Sequence, residues 1–392
     1  MLGTNRCRGM KHRAHVIVFQ RYLTHYRTSF FEQAAIQLGR ADIHLSLVHG
    51  HPDAVSETKK DSASIPGTDM VAARSIKVSG IQGVWLPTPR HLPAPDLVVL
   101  PQESKLLANY YWLCRRLLGG PKVAFWGHGV NFQSDSPLGW KERWKRMMLG
   151  RVDWWFAYTE RTRNVLIAEG YPNQRITVLN NAIDTTRFRA DLEAVTTRQL
   201  AELRAKVGAV DTAPVGLFCG SLYPDKRLDF LVAAAERIRT MLPDFQLIVI
   251  GDGPDREQVL ELIVDKPWIH ATGALYGSDK ATWFRLAGVV LNPGLVGLNV
   301  LDAFCAGLPL VTTREARHSP EIAYLENGIN GSIVSGEIPE YATAVVDLLK
   351  DPASYDAMCR NALAGASRYT QDNMVQQFCG GIEQCLATPR TR

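Results

Sequence analysis

The feature that most constrains this chain is the regular alternation of short apolar runs with helical segments. Helical patterns separate most of the β-rich apolar runs of the first half, which lie at 16–19, 43–48, 97–100, 123–126, 154–158 and 176–179. A second series of such runs follows at 215–219, 246–250, 288–291 and 310–312. Continuous apolar runs joined through helices are typical of parallel sheets that are buried on both faces. We therefore predict an α/β fold of two doubly wound domains that face a cleft.

The two series of strands divide the chain into halves of opposite charge. The 392 residues are enough for two domains. Residues 1–190 hold 26 basic and 14 acidic side chains, a net charge of +12, whereas residues 191–392 carry −7. We expect Rossmann-like domains over 1–190 and 191–370, joined at 181–213. A last helical segment, 371–392, is expected to pack back on the first domain. The opposite charges indicate different partners for the two domains.

Composition excludes several classes of protein. No apolar run reaches the ~18 residues that a membrane-spanning helix needs, and the basic start of the chain lacks the apolar stretch of a signal peptide. The seven cysteines are scattered and form no C-x-x-C pair. A reduced, cytoplasmic protein without a zinc site is therefore expected. No nucleic-acid-binding module is recognisable, so nucleic acid is not an expected partner.

Two strand-to-helix loops in the second half have a composition suited to phosphate. The first contains Gly220, Ser221, Lys226 and Arg227 and precedes a helix, whose free N–H groups and dipole favour an anion. The alternative is that both cations are simply solvated. The second loop is Gly251-Asp252-Gly253-Pro254, whose two glycines permit tight turns and close approach of a ligand.

A third loop opens an apolar helix and contains Gly294, Gly297, Leu298 and Asn299. Asp302 follows within that helix, where a carboxylate needs a polar partner or an opening to a site. The alternative is a carboxylate that serves the helix dipole, although a helix that begins near Gly297 places Asp302 slightly late for that role.

In the first half, one histidine stands between two glycines at the end of a buried strand, in the sequence Gly127-His128-Gly129-Val130-Asn131. Doubly wound folds keep their sites at the carboxyl ends of strands, which makes His128 a candidate site residue. The alternative is an ordinary surface-loop histidine. His25, Tyr26 and Arg27 follow the first strand and are expected on the same side of the sheet.

Together these loops resemble the retaining nucleotide-sugar glycosyltransferases of family 4, which have the GT-B fold. The resemblance covers most of the chain. Its most specific parts are the Gly220 loop with Lys226, the Gly251 loop, and residues 297–309 with Asp302. The stretch Asn180-Asn181-Ala182-Ile183-Asp184 is similar to the family's Asn-Gly-Val-Asp sequence at the domain junction. Four individually weak signals in the right order make a specific one.

The resemblance implies a metal-independent enzyme, without a cofactor, that transfers a hexosyl or N-acetylhexosaminyl group with retention. The donor would be a UDP- or GDP-linked sugar on the second domain, and the acceptor a hydroxyl of a glycan or lipid-linked glycan on the first. Lys226 would hold the diphosphate, Asp302 the ribose hydroxyls, and His128 would contact the donor sugar. The remaining donor contacts would come from Gly220, Ser221, Arg227, Gly251, Asp252, Gly253, Pro254, Gly294, Gly297, Leu298 and Asn299.

The sequence departs from the family pattern in three places. The family's first glutamate falls on Gly294, where backbone N–H groups of 294–298 are expected to replace it. Its phosphate-loop arginine falls on Ser221, with Arg227 as the expected substitute. Its first Gly-Gly loop is replaced by 23–27, which makes His25, Tyr26 and Arg27, together with Asn131, candidates for acceptor contact.

Aromatic and basic residues alternate from Trp140 to Met148, and Tyr110, Trp112, Arg115 and Arg116 form a similar mixture one helix earlier. Such helices can lie on an anionic membrane surface, which would make the enzyme peripheral on the cytoplasmic face. The alternative is that the aromatic residues pack on the sheet while the cations are solvated. Two other functions stay open: a non-catalytic scaffold that binds nucleotide sugars, and another GT-B enzyme such as a nucleotide-sugar epimerase.

Overall fold

A computed structural model describes residues 13–51, 65–78, 81–129, 148–210 and 213–390. In this part of the chain, the first half forms a seven-stranded parallel sheet with the order β3-β2-β1-β6-β7-β8-β9. The strands are β1 (Ala14–Tyr22), β2 (Ile43–Gly50), β3 (Asp69–Val71), β6 (Leu97–Pro101), β7 (Lys122–Gly127), β8 (Trp154–Ala157) and β9 (Ile176–Val178). An antiparallel hairpin of β4 (Arg74–Val78) and β5 (Ile81–Trp85) lies outside this sheet.

The second half forms a parallel sheet with the order β12-β11-β10-β13-β14-β15. Its strands are β10 (Val215–Cys219), β11 (Gln246–Ile250), β12 (Ile269–Gly273), β13 (Val289–Leu291), β14 (Leu310–Thr313) and β15 (Gly331–Val334). The predicted fold class, two Rossmann-like α/β domains, is thereby confirmed.

Helices connect the strands throughout. Those of the first half are α1 (Thr28–Arg40), α2 (Leu107–Leu117) and α3 (Glu160–Ala168), and those at the junction are α4 (Thr186–Ala194) and α5 (Thr197–Lys206). Those of the second half are α6 (Leu228–Met241), α7 (Arg256–Ile263), α8 (Gly277–Leu286), α9 (Asn299–Cys305), α10 (Ile338–Lys350), α11 (Pro352–Arg368) and α12 (Gln371–Ala387). Within the described ranges, no helix combines the length and the apolar character needed to span a bilayer.

Burial explains why the apolar runs predicted the central strands. Residues Val16 to Phe19 of β1 and Leu97 to Leu100 of β6 are fully buried, with side chains on both faces of the sheet. The apolar runs do not mark β3, an edge strand of the first sheet, and they also leave out β12 and β15, the two edge strands of the second sheet. Both carry partly exposed residues, such as His270 and Ser332, so they lack the continuous apolar run that marks a central strand.

The last helix, α12, packs on the first domain after the chain has completed the second. The Phe378 ring lies 5.3 Å from the ring of Phe30, 5.2 Å from Trp126 and 5.0 Å from Phe156, measured between centroids. At the end of the helix, the Lys122 ammonium on β7 donates to the carbonyl oxygens of Cys385 (2.8 Å), Leu386 (2.7 Å) and Thr388 (2.6 Å). One lysine thus satisfies three carbonyl groups at the C-terminal end of α12, where the helix dipole also favours a cation.

We expect Lys122→Met to lower the free energy of unfolding by about 1.5–3 kcal/mol, because hydrogen bonds from a charged donor contribute about that much. Urea denaturation followed by circular dichroism measures the change. Lys206→Met, at an exposed position on α5, is the matched control and should shift the free energy by less than about 0.5 kcal/mol. Equal stability of the two variants would contradict this account of Lys122.

Candidate functional site

A cleft of about 580 Å³ lies between the two domains at the carboxyl ends of the first-domain strands. The first domain contributes the loops after β1, β6, β7 and β8, and the second contributes the start of α9 and the loop after β14. The lining residues are Gln20, Arg21, Tyr22, Thr24, Tyr26, Arg27, Gln102, Glu103, His128, Tyr158, Asn181, Gly297, Leu298, His318, Ser319, Pro320 and Glu321. This is the edge at which doubly wound folds place their ligands.

His128 lies at the end of β7 with its ring accessible from the cleft. The ring stacks on Tyr158, with 4.3 Å between centroids and 25° between planes. The His128 side chain is exposed to the cleft, yet the surrounding cleft wall lowers its pKa to about 4, because desolvation disfavours the charged imidazolium. Burial raises the pKa of Tyr158 to about 12. Both rings are therefore neutral near pH 7, and His128 is present as a hydrogen-bonding imidazole.

A series of hydrogen bonds between buried side chains crosses one side of the cleft. Arg27 donates through Nη2 to Oδ1 of Asn181, and Asn181 donates through Nδ2 to Oε1 of Glu321. Arg27 Nη1 also lies 3.2 Å from the sulfur of Met374 on α12, and the Tyr324 hydroxyl donates to the Asn181 carbonyl at 3.0 Å. Burial raises the pKa of Glu321, although the bond from Asn181 opposes this shift. This series of hydrogen bonds connects the first domain, the junction and the second domain.

Of the acceptor candidates, Tyr26 and Arg27 line the cleft. The Arg27 guanidinium is buried and already bonded, so it contributes mainly to the wall of the cleft. His25 is exposed and meets Tyr26 edge-on at 5.7 Å, and it is not among the residues that line the cleft. Asn131 lies outside the described residues.

Lys226 is only 5% exposed, and its Nζ donates to the carbonyl oxygen of Leu295 at 2.5 Å. Burial lowers its pKa to about 8. Arg227 adopts a left-handed backbone, with φ of 55°, and its guanidinium donates to Thr313 at 3.1 Å and lies 4.4 Å from the Phe230 ring. Arg227 borders a separate 300 Å³ cavity. The two neighbouring cations therefore have different surroundings.

The Gly251-Asp252-Gly253-Pro254 loop packs backbone to backbone on the Gly220 loop. Gly220 N donates to the Ile250 carbonyl, and Leu222 N donates to the Asp252 carbonyl, both at 3.0 Å. A Cβ atom on Gly251 would overlap the Gly220 carbonyl oxygen, and one on Gly253 would overlap that of Leu222. The glycines are thus required by contact between the two loops. The side chains of Ser221, Asp252 and Pro254 are exposed.

No side chain fits at Gly294, the residue expected from the resemblance to stand in place of a glutamate. An added Cβ atom would overlap the backbone of Asp225 and Lys226. The backbone N–H groups that were expected to replace the glutamate are largely committed: Leu295 N donates to Asp225 O at 2.8 Å, and Val296 N donates to His318 Nδ1 at 3.1 Å.

Gly297 N likewise donates to Oδ1 of Asn299, at 3.0 Å, within the same loop. His318 Nε2 lies 2.7 Å from the Thr313 carbonyl oxygen, so a neutral ring with its proton on Nε2 satisfies both of its contacts. Burial lowers the pKa of His318, which favours this neutral form. Gly297 and Leu298 are the residues of this loop that line the cleft.

Asp302 lies in the first turn of α9, which begins at Asn299 rather than near Gly297. Its Oδ2 atom pairs with Lys280 Nζ on α8 at 2.8 Å, and the two side chains are 12% and 18% exposed. Lys280 also lies 4.6 Å from the Phe188 ring on α4. Burial by itself would lower the pKa of Lys280, but the neighbouring Asp302 carboxylate raises that pKa overall. Asp302 does not line the cleft that contains His128.

Lys280, Glu321 and His318 were not predicted from the sequence. Lys280 contacts Asp302 and Glu321 contacts Asn181, residues that lie on other elements of the fold. One sequence signal for His318 and Glu321 was available, because residues 318–321 follow a predicted strand of the second series. No group of three or more His, Cys, Asp or Glu side chains is arranged to hold a metal ion, as far as the described residues extend.

Comparisons with known proteins cover both domains. Residues 35–187 match the family model "Glycosyltransferase Family 4", and residues 213–351 match "Glycosyl transferases group 1". The chain is 26% identical over 301 residues to alpha-D-kanosaminyltransferase of Streptomyces kanamyceticus, a match that covers 71% of this chain and 74% of that protein.

It is also 28% identical over 211 residues to the GDP-mannose-dependent alpha-(1-6)-phosphatidylinositol monomannoside mannosyltransferase of Mycolicibacterium smegmatis, covering 50% of this chain and 53% of that one.

Two solved structures show the same fold. A glycosyltransferase from Rickettsia africae superposes with a TM-score of 0.68 at 12% identity, covering 97% of this chain and all of the other. HepE of Anabaena in complex with UDP-glucose superposes with a TM-score of 0.62 at 15% identity, covering 94% and 99%. At these identities the structures support the arrangement of two facing Rossmann-like domains and nothing finer.

Gly294→Ala should lower the free energy of unfolding by about 1–3 kcal/mol, since the added methyl group overlaps backbone atoms that cannot move independently. Gly297→Ala is the matched control: its nearest neighbour would be the Ser319 hydroxyl at 3.7 Å, an ordinary contact. Thermal and urea unfolding of both variants measure the difference. A Gly294→Ala variant as stable as Gly297→Ala would overturn the steric account of the missing glutamate.

Proposed function

Because this chain belongs to glycosyltransferase family 4, we propose that it transfers a sugar from a nucleoside-diphosphate donor to a hydroxyl acceptor with retention at the anomeric carbon. The observation that carries this proposal is that one cleft brings His128 of the first domain together with Gly297 and Leu298 of the second. The donor sugar bridges the domains at this point, with its nucleotide on the second domain and the acceptor on the first.

The diphosphate leaving group gains negative charge as the glycosidic bond breaks, and it needs fixed positive groups close by. Lys226 is the cation assigned to it. At pH 7 a lysine with a pKa of about 8 is mostly charged. In the structure, its ammonium group donates to the Leu295 carbonyl, and on donor binding it exchanges that acceptor for a phosphate oxygen. The exchange favours donor binding, because a phosphate is a stronger partner than a neutral carbonyl.

Asp302 is assigned to the ribose hydroxyls. The Lys280 ion pair holds the carboxylate turned toward α8, and the remaining oxygen lone pairs accept hydrogen bonds from the ribose. His128, neutral at pH 7, offers a donor or acceptor nitrogen to a hydroxyl of the transferred sugar without adding charge beside an oxocarbenium-like centre. Positioning matters more than a strong base in such a reaction.

We further propose that the reaction needs no metal ion. The charge of the leaving group is then met by Lys226 and by backbone N–H groups. Closure of the cleft excludes water and so prevents hydrolysis of the donor. The acceptor class is a glycan or lipid-linked glycan, which suits the tyrosines and amides of the first-domain wall, Tyr22, Tyr26 and Gln20 among them.

A thermal-shift screen against UDP, GDP, ADP and their sugars identifies the donor, since a ligand stabilises the folded state by mass action. For the donor so identified, Lys226→Ala and Asp302→Asn should each raise the dissociation constant by about 10- to 100-fold, the loss of one charged contact. His128→Ala should leave that constant nearly unchanged and lower kcat by about 10- to 1000-fold. Calorimetry and a transfer assay with excess chelator measure these effects.

Lys206→Met is again the control for a lost surface cation. Binding without transfer to any glycan or lipid-linked acceptor would favour a scaffold. Isomerisation of the donor without an acceptor would favour an epimerase, and loss of activity with chelator would contradict metal independence. Unchanged kinetics in all three site variants would overturn the site assignment.

We also propose that the first domain contacts an anionic membrane surface. The C-terminal end of α2 exposes Leu117 (69%) and Leu118 (84%) beside the exposed Arg115. The neighbouring Trp112 is buried, and Arg116 forms a buried ion pair with Asp153 at 2.7 Å, so these two residues take no part. Of the segment from Trp140 to Met148, the other candidate for this contact, residues 140–147 lie outside the described part of the chain.

Wild-type protein should co-sediment with anionic vesicles at low salt and dissociate at high salt, since charge attraction is screened. The double variant Leu117→Ser/Leu118→Ser should bind several-fold more weakly because apolar surface is lost. Val264→Ser, exposed on the second domain, is the control and should bind as wild type does. Absence of low-salt binding would remove the proposal.

A further inference from the structure

Gln102 follows the last residue of β6 and holds the His128 loop through both ends of its amide. Its Nε2 atom donates to the carbonyl oxygen of Gly129 at 2.5 Å, and its Oε1 atom accepts from the Gly129 N–H at 2.8 Å. Its own backbone N–H donates to the Trp126 carbonyl at 2.9 Å. One residue therefore fixes the backbone on both sides of His128.

We propose that Gln102 is the positioning residue that sets the orientation of the His128 ring toward the transferred sugar. The inference rests on the proposed function, in which His128 contacts that sugar. It assigns no chemical step to Gln102, which acts through the Gly127-His128-Gly129 backbone.

The space around Gly127 shows that the amide and the loop are matched in shape. A Cβ atom on Gly127 would lie 2.6 Å from the Cβ atom of Gln102 and 2.8 Å from its Oε1 atom. Gly129 has φ of +75°, in the left-handed region that favours glycine. The loop can follow this path only because Gly127 and Gly129 lack side chains. Two glycines also make the loop backbone flexible, so contacts with a neighbouring residue are needed to fix its conformation.

The ring of His128 makes no hydrogen bond within the described residues, and its stacking on Tyr158 is its main side-chain contact. Stacking permits sliding and rotation in the plane of the rings, so it does not select one position for the imidazole nitrogens. The two hydrogen bonds to Gly129 limit this freedom, because they fix the position of the backbone that carries the ring. An amide is specifically suited, since Gly129 requires an acceptor and a donor from the same side chain.

The test uses Gln102→Glu, which preserves shape but places an oxygen against the Gly129 carbonyl. At neutral pH the carboxylate repels that carbonyl, the loop shifts, and kcat should fall by about 10- to 100-fold while KM for the donor changes by less than about threefold. A protonated carboxyl donates to one oxygen and accepts at the other, so it restores both bonds. The ratio of variant to wild-type kcat should therefore rise as pH falls from about 8 to about 5.

Dividing the kcat of the variant by that of the wild type at each pH cancels the effect of ionisations that occur in both proteins. The titratable groups that line the cleft together with Gln102 are Arg21, Tyr22, Tyr26, Arg27, Glu103, His128, Tyr158, His318 and Glu321. The pKa values of His128 and Tyr158, about 4 and about 12, lie outside the pH range used. Gln376→Glu, on an exposed face of α12, adds the same charge elsewhere and should give a flat ratio near one.

A second readout needs no catalysis. In wild-type protein, the Tyr158 ring current should shift the Cε1–H resonance of His128, identified by its loss in His128→Ala. Gln102→Ala should move this resonance toward the value of an exposed histidine. Gly127→Ala should do the same, because its methyl group would overlap the Cβ atom of Gln102 and displace the loop from Gln102.

A flat pH ratio for Gln102→Glu, or an unmoved His128 resonance in Gln102→Ala, would overturn the inference even if the enzyme transfers sugar normally. A wild-type protein that transfers no sugar, but whose His128 resonance moves in Gln102→Ala, would support the positioning and overturn the proposed function instead. The two hypotheses therefore fail by different measurements.

Discussion

The geometry of the cleft depends on one buried interaction, the hydrogen-bonded chain from Arg27 through Asn181 to Glu321. A guanidinium and a carboxylate removed from water are costly unless each is bonded to a partner. Each of these groups obtains its partner only when the first domain, the junction and the second domain are brought together. The arrangement of the domains is thus coupled to the satisfaction of buried charge, and a relative rotation would leave Arg27 and Glu321 without Asn181.

This interaction also explains what lies in the cleft and what does not. Arg27 and Glu321 are joined through Asn181, and Arg21 lies 3.9 Å from the Glu103 carboxylate, so the positive and negative charges of the cleft wall balance. The strongly charged groups assigned to the nucleotide, Lys226 and Asp302, lie deeper in the second domain and are each held by a protein partner. A polar cleft without net charge, beside the proposed nucleotide site, suits a sugar ring that carries no charge itself.

Much of the fold could be predicted from sequence because burial on both faces of a parallel sheet leaves a continuous apolar run. That signal located β1 and β6 and failed at edge strands, at β3 of the first sheet and at β12 and β15 of the second, which carry partly exposed residues. His128 could be found because it follows such a run directly. Its support could not, since Gln102 looks like any polar residue after a strand until the fold places it beside Gly129. Lys280 and Glu321 were missed for the same reason: their partners lie on other elements of the fold.

The position of α12 has a consequence for how the chain is made. Residues near its middle complete the aromatic cluster of the first sheet, yet they are synthesised only after the entire second domain. Domains generally fold as units during synthesis, N-terminal first. Here the second domain has its whole sequence available while the first still exposes Phe30 and Trp126. The first domain to leave the ribosome is therefore the last to finish folding, and during that interval its unfinished face is the surface that a chaperone would recognise.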